Sequence, residues 1–167
     1  MTTPDFPKLS LSVESGIARI AFNRPECANA LNAELWDTLR RAFQWADDTD
    51  AVRVIILAGE GKHFCAGIDL ALLAGLPERI RHTDPARAQE KLRQLILDLQ
   101  DCVSAIARCR KPVIAAIQGA CIGGGVDIIT ACDMRYASAE ARFSVREIDM
   151  AMAADVGTLQ RLPRLIP

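Results

Sequence analysis

From Lys8 to Phe22 apolar and polar residues alternate, KLSLSVESGIARIAF, on both sides of Glu14-Ser15-Gly16. A period of two turns one side of each run toward a core, and Gly16 supplies the turn, so the segment is a β-hairpin. The period then changes. Asn32 suits a helix N-cap, and Leu35, Leu39, Ala42, Phe43 and Ala46 follow at spacings of three and four through about Asp47. That is one face of an amphipathic helix. Val52 to Ala58 (VRVIILA) is an apolar run, the pattern of a strand covered on both faces, and a glycine-containing loop, GEGKHFCAGID, comes after it.

Leu76 to Pro85 carries Pro77, Pro85 and mixed charges, which predicts a mobile surface loop. Beyond it Ala88, Leu92, Leu95, Ile96, Leu99, Val103 and Ile106 keep helical spacing, predicting a long helix from about Ala86 to Cys109. Lys111-Pro112 ends it, and Val113 to Ile117 (VIAAI) is a second buried strand. Gly119 and a glycine triplet lead into an apolar helix ending near Cys132. Short strands are expected at Met134 to Ala137 and Arg142 to Val145, then the start of a helix over about 156–165. Strands alternating with helices give an α/β fold with right-handed crossovers. No sequence repeat, low-complexity tract or linker divides the chain, so 1–167 reads as a single domain.

Charge and cysteine content remove several functions. Lys plus Arg number 20 against 21 Asp plus Glu, for a net charge of −1, and no basic stripe exists for nucleic acid. No apolar run approaches the ~20 residues that span a bilayer, and MTTPDFPKLS lacks the apolar stretch of a signal peptide. No membrane is expected as a partner, and a soluble cytoplasmic protein is the expectation. The six cysteines form no CxxC pair, and with only His63 and His82 beside them a zinc site has no standard spacing. No metal is expected, and the thiols read as reduced and buried.

Three stretches could carry chemistry. ACIGGGVD (120–127) lies between a buried strand and a helix, and packing alone would ask for one glycine rather than three. Unpaired amides there, at a helix start, would hold an anion or a developing oxyanion. The competing reading is a tight strand-to-helix connection. The stretch is neither GxGxxG nor a GK[ST] phosphate loop. FCAGIDL (64–70) is a second glycine turn that could face the first. The third set is Asp127, Glu147 and Asp155, whose apolar flanks make burial costly without a purpose. The plainer readings are helix caps for Asp127 and Asp155 and a solvated loop charge for Glu147. Asp133, which could pair with Arg135, and Asp149 read as structural. So do His63 and the Trp36/Trp45 pair, which reads as packing.

NRPECANALN (23–32), HFCAGIDL (63–70), KPVIAAIQGACIGGGVDIITACDMRYAS (111–138) and FSVREIDMAMAADVGTLQRLP (143–163) together resemble the enoyl-CoA hydratase/isomerase (crotonase) superfamily. The resemblance runs through nearly the whole chain, in order. It implies a spiral of ββα units, an acyl-CoA thioester as substrate with no separate cofactor, and homotrimers or dimers of trimers. It places the two oxyanion-hole amides on Ile68 and Gly124, and the substrate contacts on Gly67, Ile68, Asp69, Leu70, Ala71, Gly124 and Gly125.

Within the superfamily the acids separate the reactions. Hydratases carry Glu at the positions of Asp127 and Glu147, and a glycine where Asp155 stands. GGGVD, REID and AADVGTLQRLP are similar to the Δ3,5-Δ2,4-dienoyl-CoA isomerase branch, which uses three acids at these positions. That implies Glu147 acting at C2 and Asp155 at C6 of a dienoyl thioester in fatty-acid β-oxidation, with Asp127 tuning both, and the base and acid assignments could be reversed. A 2-enoyl-CoA hydratase is the alternative, and a catalytically silent interaction protein is the one outside enzymes. Cys27 stands where many relatives carry Lys, which removes a cation near the CoA phosphates. The family continues for roughly another hundred residues, so the chain is expected to stop before helices that make the trimer.

Overall fold

The computed structural model describes residues 4–166. The hairpin forms as expected. β1 (Leu9–Glu14) pairs antiparallel with β2 (Ile17–Phe22), Leu9 opposite Phe22 and Glu14 opposite Ile17. Ser15 and Gly16 both have positive φ, 52° and 85°. Two successive residues of that hand match the right-handed twist of the strands they join.

β2 is followed by α1 (Ala33–Asp48), started by Asn32, whose Oδ1 accepts the Leu35 N–H at 2.8 Å. The chain returns as β3 (Val54–Gly59), parallel to β2. Helices α2 (Leu70–Ala74), α3 (Leu76–Ile80) and α4 (Pro85–Arg108) come next, then β4 (Val113–Ile117), parallel to β3. Strand β5 (Ala120–Ile122), helix α5 (Gly124–Thr130) and strands β6 (Met134–Ala137) and β7 (Arg142–Ser144) precede the short α6 (Thr158–Arg161). The main sheet has the order β1-β2-β3-β4-β6. Ile20, Phe22, Ile55 and Leu57 from its strands are fully buried with Leu35, Leu39 and Phe43 of α1 and Ile106 of α4. Burying such side chains contributes about 1.5–3 kcal/mol each, and this layer is where the fold is held together.

A second, smaller layer lies beside the sheet. β5 pairs parallel with β7, and single backbone β-bridges join Cys65 to Cys121, whose thiols are free, and Leu31 to Ile68. Each strand β2, β3, β4 and β6 therefore runs into a short extended segment before the chain turns away, the spiral of ββα units that the resemblance implied. The repeat is architectural. Its second members are one to three residues long, too short to leave a period in the sequence.

Three expectations need correction. The segment 76–85 is a loop only over residues 81–84, because its prolines sit in first turns of helices, where no intrahelical N–H is lost. Pro77 lies in the first turn of α3, and Pro85 opens α4 behind Asp84, whose Oδ1 accepts the Ala86 N–H at 2.9 Å. The last helix stops at Arg161 and passes into a 3-10 turn, Leu162–Arg164, because Pro163 has no N–H to donate back. The Asp133 carboxylate does not pair with Arg135, which reaches only its backbone carbonyl, at 3.3 Å. Its Oδ2 accepts the Val113 N–H at 2.7 Å, while Arg135 donates to the carbonyls of Ile129 and Cys132 at the end of α5.

Candidate active site

A cavity of about 820 Å³ lies among residues 66–69, helices α2, α3 and α4, and the segment 146–156. Leu72, Leu73, Leu92, Leu95, Ile96 and Leu99 give it one long apolar wall. The 3.6-residue stripe of α4 thus serves two purposes: its C-terminal part, Val103 and Ile106, enters the core, while its N-terminal part lines the cavity.

Opposite that wall the two glycine turns meet. The first is held by Leu31, whose N–H donates to the Gly67 carbonyl at 2.8 Å and whose carbonyl accepts the Asp69 N–H at 3.1 Å. The second is held by the Gly123 N–H, which donates to the Ser144 carbonyl at 2.9 Å. Gly67 has φ +88°, and a Cβ built there would stand 2.9 Å from the Ile122 carbonyl oxygen and 3.6 Å from the Gly124 nitrogen. Only a residue without a side chain lets the turns approach this closely. Ile68 and Gly124 both line the cavity, and among the described residues neither amide donates to a protein acceptor. The Gly124 amide is one of the orphan donors every helix start leaves, here the start of α5.

Each glycine of the triplet meets a different neighbour, so the expectation that packing needs only one is corrected. A Cβ at Gly123 would lie 3.2 Å from Glu147 Oε1, one at Gly124 3.0 Å from Leu31 Cδ1, and one at Gly125 3.0 Å from Cys65 Cβ. The first of these contacts also locates Glu147, whose carboxylate lies against the triplet.

Asp127, Glu147 and Asp155 all line the cavity. Asp127, in the first turn of α5, is 1% exposed; its Oδ1 accepts the Thr158 N–H at 2.6 Å, and its Oδ2 has no partner. It therefore caps α6 rather than its own helix. Burial pushes its carboxyl above the usual range; the bonds from Thr158 oppose that, and the charge of Asp155 adds to it. Glu147 opens a 3-10 turn, Glu147–Met150, and is half-buried with Oε2 unpartnered, so it is no solvated loop charge. Burial raises its pKa as well, with Asp127 and Asp155 adding like-charge repulsion. Asp155 does not cap α6, since Gly157 holds that position. Asp127 and Glu147 are thus held on an apolar cavity against their own solvation and a neighbouring carboxylate's charge. Carboxyls in that state are suited to trading protons.

The model of the family described as enoyl-CoA hydratase/isomerase matches residues 12–167. The chain belongs to that family. It is 46% identical over 170 residues to the peroxisomal Delta(3,5)-Delta(2,4)-dienoyl-CoA isomerase of Arabidopsis thaliana, covering 99% of this chain and 61% of the relative. It is 43% identical to the mitochondrial protein of that name from Homo sapiens, covering 98% and 51%. The crystal structure of the enoyl-CoA hydratase from Bacillus anthracis superposes with a TM-score of 0.82 at 32% identity, over 95% of this chain and 58% of that one. The chain thus spans about half to three fifths of the length of these relatives. Their names place them in peroxisomes and mitochondria, not in the cytoplasm. Among the described residues no helix is long and apolar enough to cross a membrane.

The remaining residues expected in this crotonase-type site divide. Asp69 lines the cavity but is already engaged: Oδ1 accepts the Ala71 N–H at 3.0 Å and Oδ2 lies 3.2 Å from Arg24. Leu70 stands at the rim, 70% exposed. Ala71 and Gly125 are not among the lining residues, and Gly125 packs against Cys65 instead. Trp36 was expected only as packing, yet it is on the cavity wall with Cζ2 3.3 Å from a Cβ built on Gly124. It could have been found from its place beside Leu35 and Leu39 on the buried face of α1. Cys27 and Asp149 also reach the cavity, Asp149 paired with Arg146 at 2.9 Å. His63 stays outside it, its Nδ1 accepting the Ala120 N–H.

A stability test follows from Asp127. Its carboxyl is raised in the folded chain, so folding holds a proton that the unfolded chain releases. Stability therefore falls as pH rises from the unfolded value of about 3.9 toward the raised folded one, and the loss persists above it. Asn at this position keeps the oxygen that accepts from Thr158 and removes the charge. Asp127→Asn should raise the melting temperature at pH 7 by about 2–4 °C, the shift that about 1 kcal/mol gives a chain of this size. The gain should vanish near pH 3. A variant less stable than the parent at pH 7 would contradict the account.

Proposed function

We propose that this site isomerises 3,5-dienoyl-CoA to 2,4-dienoyl-CoA by moving a proton from C2 to C6, as a step of fatty-acid β-oxidation. The observation that carries the reading is Asp155: Asp69 and Asp149 on the cavity are each paired with an arginine, and Asp155 joins Asp127 and Glu147 as a third carboxylate with no ion-pair partner among the described residues. The names of the dienoyl-CoA isomerase relatives support it.

In this reading the thioester oxygen accepts from the amides of Ile68 and Gly124, which are aimed at the charge that develops when the α-proton leaves. Glu147, beside Gly123, takes the C2 proton. The electron pair of that C–H bond spreads through the conjugated system, and a new C–H bond forms at C6 with a proton from Asp155. C2 and C6 are four bonds apart, so one carboxylate serves both poorly, and two along an apolar slot serve both well. Asp127 sets the charge balance between them. Glu147 acts as the base and Asp155 as the acid, and turnover restores both through solvent or a reversed role. Coenzyme A enters as part of the substrate, and the reaction uses no metal or further cofactor.

Assembly as a homotrimer or dimer of trimers belongs to the same proposal, as does a single core domain that is extended in the whole protein by C-terminal helices. Tyr136, Phe143 and Ile148, at 66%, 50% and 77% exposure, are large apolar side chains of the kind that a partner surface covers. The second reading, a 2-enoyl-CoA hydratase, draws on the hydratase neighbour; it leaves Asp155 without a task. Offering the protein 3,5-dienoyl-CoA and a 2-enoyl-CoA separately decides between them. The proposal expects the ultraviolet band of a conjugated 2,4-dienoyl thioester from the first and slow hydration of the second. Fast hydration with no diene band would overturn it.

A further inference from the structure

The segment that presents Asp155 has few attachments. Its ends are tied to the other two acids: the Met152 N–H donates to the Glu147 carbonyl at 3.0 Å, and the Thr158 N–H donates to Asp127 Oδ1 at 2.6 Å. Between them, Ala153 to Val156 make one hydrogen bond to another part of the chain among the described residues. Gln100, half-buried on α4, donates from Nε2 to the Asp155 carbonyl at 2.7 Å. Gly157, next along, has φ +144°, so the backbone leaves Asp155 through a conformation that side chains rarely adopt.

From this geometry we infer that Gln100 is a positioning residue for Asp155. It fixes the backbone of the acid to the helix that walls the acyl cavity. The inference rests on the proposed isomerase reading and adds a part to it. Ile96 of α4 lines the cavity one turn before Gln100, and Leu95 and Leu99 line it beside Ile96 and Gln100. The same helix therefore places the acyl chain and, through one amide, the acid that must reach C6. An error of about 1 Å in such a placement costs on the order of 10²-fold in rate. Among the described residues no hydrogen bond joins Glu147 to Gln100, and its work at C2 does not depend on this bond.

Gln100→Met tests it, because Met is nearly isosteric, tolerated in helices and unable to donate. Two readings are taken on the full chain. Hydrogen exchange at the Met152 and Thr158 amides reports the segment irrespective of catalysis, and it should become about tenfold faster in the variant. With 3,5-dienoyl-CoA in deuterium oxide, deuterium entry at C2 reports Glu147, and appearance of the 2,4 product reports Asp155. Product formation should fall about 10–100-fold while C2 exchange and substrate affinity stay within about twofold, and Gln100→Glu at neutral pH should behave like Met. Unchanged amide exchange, or C2 exchange falling in step with product formation, would overturn the inference. Faster amide exchange in a protein whose parent form makes no diene would support the positioning and sink the isomerase reading instead.

Discussion

Asp155→Asn should lower formation of the conjugated product by about 10²–10⁴-fold, the usual contribution of a positioned proton donor, with substrate affinity nearly unchanged. The asymmetry of the effect matters more than its size. Among the described residues Asp155 accepts a hydrogen bond from neither amide, so the thioester should still bind. Glu147 should still exchange the C2 proton with solvent, because its carboxylate lies against Gly123, next to the Gly124 amide. Glu147→Gln should give the reverse: no exchange at C2 and no product. The check is a side-by-side measurement of C2 deuteration, product absorbance and binding for the two variants. Normal turnover in Asp155→Asn would return that residue to an ordinary surface charge and remove the reason for preferring an isomerase over a hydratase.

The second large effect belongs to the backbone. Gly67→Ala adds one methyl group to a residue at φ +88°, 2.9 Å from the Ile122 carbonyl oxygen. The alternatives are strain of about 1–3 kcal/mol at an unsuitable backbone conformation or separation of the two turns. Either moves the Ile68 amide relative to that of Gly124. Losing one donor of an oxyanion pair typically costs about 2.7–4 kcal/mol of transition-state stabilisation, or about 10²–10³-fold in kcat. Gly67→Ala should therefore lose activity on this scale while the cavity wall on α4 still binds the acyl chain. Gly125→Ala is the comparison: its neighbour is Cys65, outside the cavity lining. It should weaken folding more than it weakens catalysis in the molecules that fold. Equal losses of kcat in the two variants would show that the turns act through general stability.

Much of this was legible in the residues. Alternation around Ser15-Gly16 predicted the hairpin, and the stripe from Leu35 to Ala46 predicted α1, since both signals are local and strong. Helix α3 was obscured by Pro77, which together with Pro85 and the mixed charges suggested a loop, although its place in a first turn makes it a helix starter. β5 was invisible because three residues carry no period. The site divided in the same way. The glycine triplet pointed to a special turn, but the neighbour of each glycine comes from elsewhere in the chain: Glu147, Leu31 and Cys65. Asp127 looked like a cap and is one, though for a helix that starts 31 residues later. Trp36 and Gln100 carry no motif. Their relevance follows only from where α1 and α4 pack.

The most direct test of two acids serving two carbons is the hydrogen isotope at C6. In deuterium oxide, with 3,5-dienoyl-CoA and the unaltered chain, the 2,4 product should carry solvent deuterium at C6, read by nuclear magnetic resonance, and no added hydroxyl. A product that keeps at C6 the hydrogen removed from C2 would mean one shuttling carboxylate and would contradict the separate roles of Glu147 and Asp155.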